Sequence, residues 1–401
     1  MRVLIPNHFP LEGSGSGIYT QNVARELVNK GHETLVITPG HDEQTGFPFQ
    51  VRTILFSSRK VEHAEAGRLP FNFPCFTTHP LSSCTFADLD DAQREMYIEA
   101  FRSTINRAVN EWKPDVIHAQ HLWVTPYVAM LTGLPYVVTA HGTDLMGFRK
   151  YEVWKPVALE GTLNAGAIIA VSQQVARDAI ELYGVREERV HLIWNGFDQG
   201  VFHVLPVKRS DVLTEHNLPP DPRYVISFVG KLTHFKGVDV LLEAAVSYER
   251  ELGEVFTLIV GDGELRSDLE EQVERLGLNG VYFLGHQAQP EVAKIFNVAD
   301  VSVVPSRVEP FGLVAIEAMA CGTPVVATNE GGLPDFVDER VGALVNVDDP
   351  DQLAEKIIGE VKGATKAMKG PFAAEFALNG FSWSSQVDKM ISIYEELYTQ
   401  A

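Results

Sequence analysis

Tyr224-Val225-Ile226-Ser227-Phe228-Val229-Gly230-Lys231-Leu232-Thr233-His234-Phe235-Lys236-Gly237 reads as a short strand that runs into a glycine-bounded loop. The apolar run over residues 224–229 is what a parallel strand covered on both faces requires. The loop opens a helical pattern and sets Lys231 and Lys236 at the carboxyl edge of the strand. Two unpaired cations at that edge suit a diphosphate; two solvated surface lysines are the alternative.

Runs of the same kind recur outward in both directions. Downstream they cover residues 256–260, 281–283, 301–304 and 324–327; upstream they cover 2–5, 33–38, 115–118, 136–140, 167–171 and 190–193. Helical patterns lie between them. In residues 19–29, for example, Val23, Leu27 and Val28 fall near one face and Gly31 stops the helix. Strand, helix, strand, twice over, predicts an α/β chain of two doubly wound parallel-sheet domains. Pro206, Lys208-Arg209-Ser210-Asp211 and Pro219-Pro220-Asp221-Pro222 lie in a stretch without periodicity, which reads as a connector between Asp198 and Tyr224. The expected division is 1–200, 201–380, and a closing amphipathic helix in 381–401 that returns to the first domain. Residues 68–85 interleave aromatics with prolines, so this loop either packs on the body or takes part in binding.

Composition narrows the function classes. A chain of 401 residues has room for two or three domains. Its net charge of −20 repels phosphate backbones and argues against nucleic-acid binding. The charge is uneven, −5 over residues 1–200 and −15 over 201–401, as two domains with different tasks would have it. No apolar stretch approaches the ~20 residues of a membrane-spanning helix, and no cluster of basic residues marks a lipid-facing surface. The N-terminus enters a strand directly, without a signal-peptide pattern. Three cysteines, Cys75, Cys84 and Cys321, form no C-x-x-C pair, which argues against a disulfide framework or a cysteine zinc site. A reduced, cytoplasmic setting is expected.

Three segments carry chemistry. Glu12-Gly13-Ser14-Gly15-Ser16-Gly17 precedes a helix, where glycines let the backbone approach a ligand and open amides favour an anion; a merely flexible loop is the other reading. Pro305-Ser306-Arg307-Val308-Glu309-Pro310-Phe311-Gly312-Leu313-Val314-Ala315-Ile316-Glu317 leaves a strand and starts a helix near Gly312, again with open amides. If this stretch were helical, Glu309 and Glu317 would stand about 12 Å apart along the axis. That is wider than the roughly 5 Å or 6.5–9.5 Å of a glycosidase pair, so two separate hydrogen-bonding tasks fit better. His141 follows strand 136–140 at a sheet edge where ligands collect, in His141-Gly142-Thr143-Asp144. His118 and His121 also lie at a strand end, either contacting an acceptor or packed. No H-x-x-x-H lies on a helical pattern, so no metal site is expected.

The set Ser14-Gly15, His141-Gly142-Thr143-Asp144, Asn195-Gly196-Phe197-Asp198, the Gly230 to Gly237 loop, Gly261-Asp262-Gly263 and Glu309-x7-Glu317 resembles family 4 of the glycosyltransferases, the retaining GT-B group. The motifs stand in that family's order over nearly the whole chain. The resemblance implies two Rossmann-like domains facing a cleft, and transfer of a hexosyl unit from a nucleotide-diphosphate sugar by front-face displacement. UDP-glucose and UDP-N-acetylglucosamine are the family's commonest donors. It implies no metal and no cofactor. Glu317 would bind the ribose and Glu309 the sugar hydroxyls, while Phe311, Gly312 and Leu313 offer amides. Lys236 would neutralise the diphosphate, with Gly15 approaching from the N-terminal side and His141 orienting the reacting sugar. Lys231 stands where the family usually has Arg, keeping the charge without the bidentate fork. His118, His121 and Asp144 would lie on the acceptor side; the acceptor itself is unidentified.

Two other readings compete. A nicotinamide-dependent oxidoreductase would need a tighter glycine turn and an acidic residue closing the second strand. A non-catalytic nucleotide-sugar-binding relative would be expected to lose some of His141, Lys236, Glu309 and Glu317, and all four are present.

Overall fold

The computed structural model describes residues 1–61, 66–77 and 79–400. The chain forms two compact units, Met1–Trp194 with Gln386–Ala401, and Asn195–Ser385. Ala401, at the end of the expected closing helix, lies outside the described residues, as does Thr78 in the aromatic loop.

The first unit is built on strands β1 (Arg2–Pro6), β2 (Glu33–Gly40), β3 (Gln50–Phe56), β4 (Arg68–Leu69), β5 (Val116–Gln120), β6 (Tyr136–Ala140), β7 (Ala167–Ala170) and β8 (Val190–Leu192). They pair in parallel in the order β4-β3-β2-β1-β5-β6-β7-β8. The second unit carries β9 (Tyr224–Val229), β10 (Val255–Val260), β11 (Val281–Gly285), β12 (Val301–Val304), β13 (Val325–Thr328) and β14 (Gly342–Val345), all parallel, in the order β11-β10-β9-β12-β13-β14. In each sheet the order reverses direction once, between β1 and β5 and between β9 and β12. Such switch points leave a crevice at the carboxyl ends of the strands, where open α/β sheets bind ligands.

The central strands β1, β5, β6, β7 and β12 are almost wholly buried, which is why their apolar runs were unbroken. The strands without an expectation, β3, β4 and β14, lie at or next to sheet edges. In β3, Arg52 and Thr53 interrupt the run, and β14 has only four residues.

The boundaries differ from those expected. Residues 195–200 pack in the second unit: a Cβ on Gly196 would lie 2.5 Å from the Trp383 ring, and the Phe197 amide donates to Phe381 O (3.2 Å). The stretch read as a connector holds the helix Arg209–Glu215, anchored by Arg209 to Asp300 (2.7 Å). The aromatic loop packs: Phe71, Phe73, Phe76 and Phe86 are buried, with Phe76 and Phe86 edge-on to Trp123. No helix among the described residues is long and apolar enough to cross a membrane.

The closing helix Trp383–Gln400 joins the first unit through Val387, Met390 and Tyr394, all fully buried. Tyr394 Oη lies 2.6 Å from His118 Nδ1, and Lys30 pairs with Asp388 (2.8 Å). Tyr394→Phe leaves a buried imidazole nitrogen unsatisfied, a loss of about 1–3 kcal/mol. Thermal unfolding is expected to show a Tm lower by several degrees. An unchanged Tm would mean that the helix docks on apolar contacts alone.

Candidate active site

At the switch point of the second sheet, two loops leave neighbouring strands and touch. The loop after β9 turns at Gly237, whose φ of +64° is in the left-handed region; a Cβ there would fall 2.0 Å from Pro305 O in the loop after β12. Arg307 binds the two loops: its guanidinium donates to both Asp239 oxygens (2.8 and 2.6 Å), to Asp348 (2.6 Å) and to His234 O (2.9 Å). Gly261-Asp262-Gly263 closes on the same place. Cβ atoms on Gly261 and Gly263 would lie 1.9 Å from Gly230 O and 2.3 Å from Leu232 O.

This packing sets the charged groups. Lys236 Nζ donates to Glu309 Oε2 at 2.6 Å, and Ser306 Oγ donates to the same oxygen at 3.1 Å. Lys236 is therefore not the unpaired cation expected from the sequence, because the loop contact brings Glu309 to it. Lys231 is exposed on the same loop. Glu309 also lies outside the helix, which spans Leu313–Ala320, so the helical spacing of the two glutamates does not apply.

Gly312, at φ +104°, precedes that helix and offers no side-chain cap; a Cβ there would lie 2.5 Å from Leu333 Cδ2. No acceptor among the described residues takes the amide protons of Phe311, Gly312, Leu313 or Val314. The helix therefore begins with open donors and the positive end of its dipole. The Phe311 ring is buried against Phe336 and Phe381, so only its backbone is available. Glu317 is the fifth residue of the helix. Its carboxyl has no hydrogen-bond or ion-pair partner among the described residues, and desolvation pushes its pKa up to about 8.

In the first unit the carboxyl edge gathers imidazoles. His141 follows β6; its Nε2 lies 2.9 Å from Gln120 Oε1, and its ring stands edge-on to Tyr19 at 4.9 Å. Burial lowers the His141 pKa to about 3. Gly15 is the first residue of the helix Gly15–Asn29, capped by Ser14, and a Cβ there would meet nothing within 4 Å. Gly17, by contrast, is demanded by packing, since its Cβ would sit 2.2 Å from Pro10 O.

Three acceptor-side expectations need correction. His118 is fully buried and both its nitrogens are taken, Nδ1 by Tyr394 Oη and Nε2 by Thr139 Oγ1 (2.6 Å each). Asp144 is fully buried as well, its carboxylate accepting from the amides of Leu122 (2.8 Å), His141 (3.2 Å) and Leu145 (3.1 Å). It positions the His141 turn, and desolvation raises its pKa to about 6 against those hydrogen bonds. His121 is enclosed by Phe9, Phe76 and His141, at φ +69°, with no partner for either nitrogen among the described residues. None of the three presents a side chain to solvent. Sequence reading also missed Arg307 and Gln120, whose deciding partners Asp239 and His141 lie on other segments, and Ser306, whose hydroxyl reaches Glu309 on the same loop.

Comparison with known proteins gives the class. A profile described as Glycosyl transferases group 1 matches residues 211–367, and one described as Glycosyltransferase Family 4 matches residues 13–200. The D-inositol 3-phosphate glycosyltransferase of Mycolicibacterium smegmatis is 30% identical, over 96% of this chain and 86% of that one. This chain is a GT-B glycosyltransferase of group 1/family 4. Its fold is that of sucrose-phosphate synthase from Thermosynechococcus elongatus (TM-score 0.75, 22% identity, all of both chains). It is also that of Anabaena HepE in complex with UDP (TM-score 0.74, 21% identity, 99% of this chain and 100% of that one).

The glycosyltransferase holds Glu317 protonated to about pH 8, whereas an unfolded glutamate loses its proton near the ordinary 4.5. Between these values unfolding releases a proton, so raising the pH through this window favours unfolding. Glu317→Gln removes that titration. Its Tm relative to the native chain is therefore expected to rise from pH 5 to pH 8 in thermal scans. A constant difference would mean that Glu317 ionises normally.

Proposed function

We propose that this glycosyltransferase moves a hexosyl unit from a nucleotide-diphosphate sugar, UDP-glucose or UDP-N-acetylglucosamine first, to an acceptor hydroxyl with retention of anomeric configuration. The observation that carries the donor reading is Glu317, a desolvated carboxyl without a partner among the described residues, on the helix whose first amides are open. A carboxylate there accepts hydrogen bonds from two ribose hydroxyls, and the amides of Phe311, Gly312 and Leu313 meet the phosphate and sugar. Lys236 and Lys231 neutralise the diphosphate, and Glu309 takes sugar hydroxyls. The Anabaena neighbour's complex with UDP supports a uridine nucleotide.

In the transfer, the bond from the anomeric carbon to the diphosphate oxygen breaks and its electron pair leaves with the diphosphate. The acceptor oxygen bonds to the same face, and its proton passes to a diphosphate oxygen. Fixed cations and amides stabilise the charge growing on the leaving group. His141 and the backbone at Gly15 are assigned to the sugar on the family's pattern.

UDP, GDP and ADP distinguish the base in a thermal-shift panel, with NAD and NADP as controls. UDP at a hundred times its Kd is expected to stabilise by about 2.7 kcal/mol. Glu317→Ala should weaken nucleotide binding roughly tenfold to a hundredfold, the scale of lost hydrogen bonds to a charged group. His141→Ala should keep that affinity and lower turnover. Equal loss of affinity in both variants would overturn this division of roles, and a response to NAD alone would overturn the transferase donor site.

A further inference from the structure

Gln120 ends β5, is fully buried, and is tied on three sides. Its amide nitrogen donates to His118 O (3.3 Å), and its own carbonyl accepts from Thr125 Oγ1 (2.7 Å). Its side-chain oxygen lies 2.9 Å from His141 Nε2. A carbonyl such as His118 O only accepts, so the amide NH2 must face it. Oε1 then faces His141, and since Oε1 also only accepts, His141 Nε2 must carry the proton. A neutral imidazole protonated at Nε2 has its lone pair on Nδ1. His141 Nδ1 has no partner among the described residues.

We infer that Gln120 is a positioning residue that locks His141 as the neutral Nε2–H tautomer, so that Nδ1 accepts a hydrogen bond from a hydroxyl of the donor sugar. This rests on the role proposed above for His141. It makes that residue an acceptor of hydrogen bonds and removes it as a proton donor to the leaving group.

The surroundings favour the neutral form. A carboxylate at Nε2 would stabilise an imidazolium, as in a hydrolase triad, whereas an amide does not. Among the described residues, no carboxylate is hydrogen-bonded to the His141 ring. Tyr19 faces it from the helix Gly15–Asn29, with its phenol held protonated by burial. His118 and His121, on and after β5 respectively, are both kept neutral by burial. The Asp144 carboxylate, on the helix Thr143–Lys150, is turned to backbone amides.

Imidazole nitrogen NMR on the full chain, with His141 assigned by loss of its signals in His141→Asn, reads the tautomer directly. The Nε2–H form is expected, with no titration between pH 5 and 8. An Nδ1–H form in the native chain would overturn the inference without recourse to any variant. Gln120→Leu is expected to mix the tautomers and lower UDP release from UDP-glucose by between about tenfold and a hundredfold, while UDP affinity is unchanged. Gln120→Glu, which puts a carboxylate at Nε2–H, is expected to keep the Nε2–H tautomer but to bring the imidazolium into the titration range, a signature that Gln120→Leu lacks. Identical behaviour of the two variants would overturn it. If no nucleotide binds while His141 is found as Nε2–H, the donor reading fails and the tautomer assignment stands.

Discussion

The second unit depends on backbone touching backbone without side chains between. At Gly237, Gly261 and Gly331 a Cβ would lie 2.0, 1.9 and 1.8 Å from the carbonyl oxygens of Pro305, Gly230 and Glu309. No other residue fits these places, and at each the φ is positive. This closeness puts the loop after β9 within reach of the loop after β12. Lys236 and Glu309 then meet although 73 residues separate them in sequence. Arg307 fastens the same two loops with charge-assisted hydrogen bonds, so the ion pair sits on a rigid base.

The first unit solves a different problem, the burial of several imidazoles at one sheet edge. His8 accepts the amides of Val124 and Thr125 at Nε2 (3.3 Å each), which leaves its proton on Nδ1 facing Tyr97 Oη at 2.7 Å. His118 is satisfied by Thr139 and Tyr394. Burial holds His8, His118 and His141 near pKa 3, so these imidazoles are uncharged through the neutral range. Uncharged imidazoles can present hydrogen-bonding atoms to hydroxyls without the cost of desolvating an ion.

Periodicity revealed the central strands because both faces of β1, β5, β6 and β12 are covered, and a covered strand must be apolar throughout. The same rule is weak next to an edge, where β3 tolerates Arg52 and Thr53. In the glycine run after β1, composition alone could not separate Gly17, required by Pro10 O, from Gly15, required by nothing in the fold. His118 and His141 both end strands. They are told apart by Tyr394, a residue 276 positions from His118 that arrives only when the closing helix docks. Pairings of that kind carry no local signal, and Lys236 was read as unpaired for the same reason.

The proposed binding of a diphosphate is an electrostatic problem for a half-chain of net charge −15. At long range the surface repels an anion, though salt screens this beyond about 10 Å. Close in, the arrangement is different. Glu309 is neutralised by Lys236, and the Glu317 carboxyl keeps its proton at neutral pH, so neither of these glutamates adds free negative charge. The amides of Gly312, Leu313 and Val314, which have no acceptor among the described residues, then set the local field. Under the proposed donor reading, ribose hydroxyls that offer hydrogen bonds to Glu317 favour its ionised form, and a proton leaves. On that reading the helix start is close to neutral without ligand, and it gains its carboxylate only once there are hydroxyls to hold.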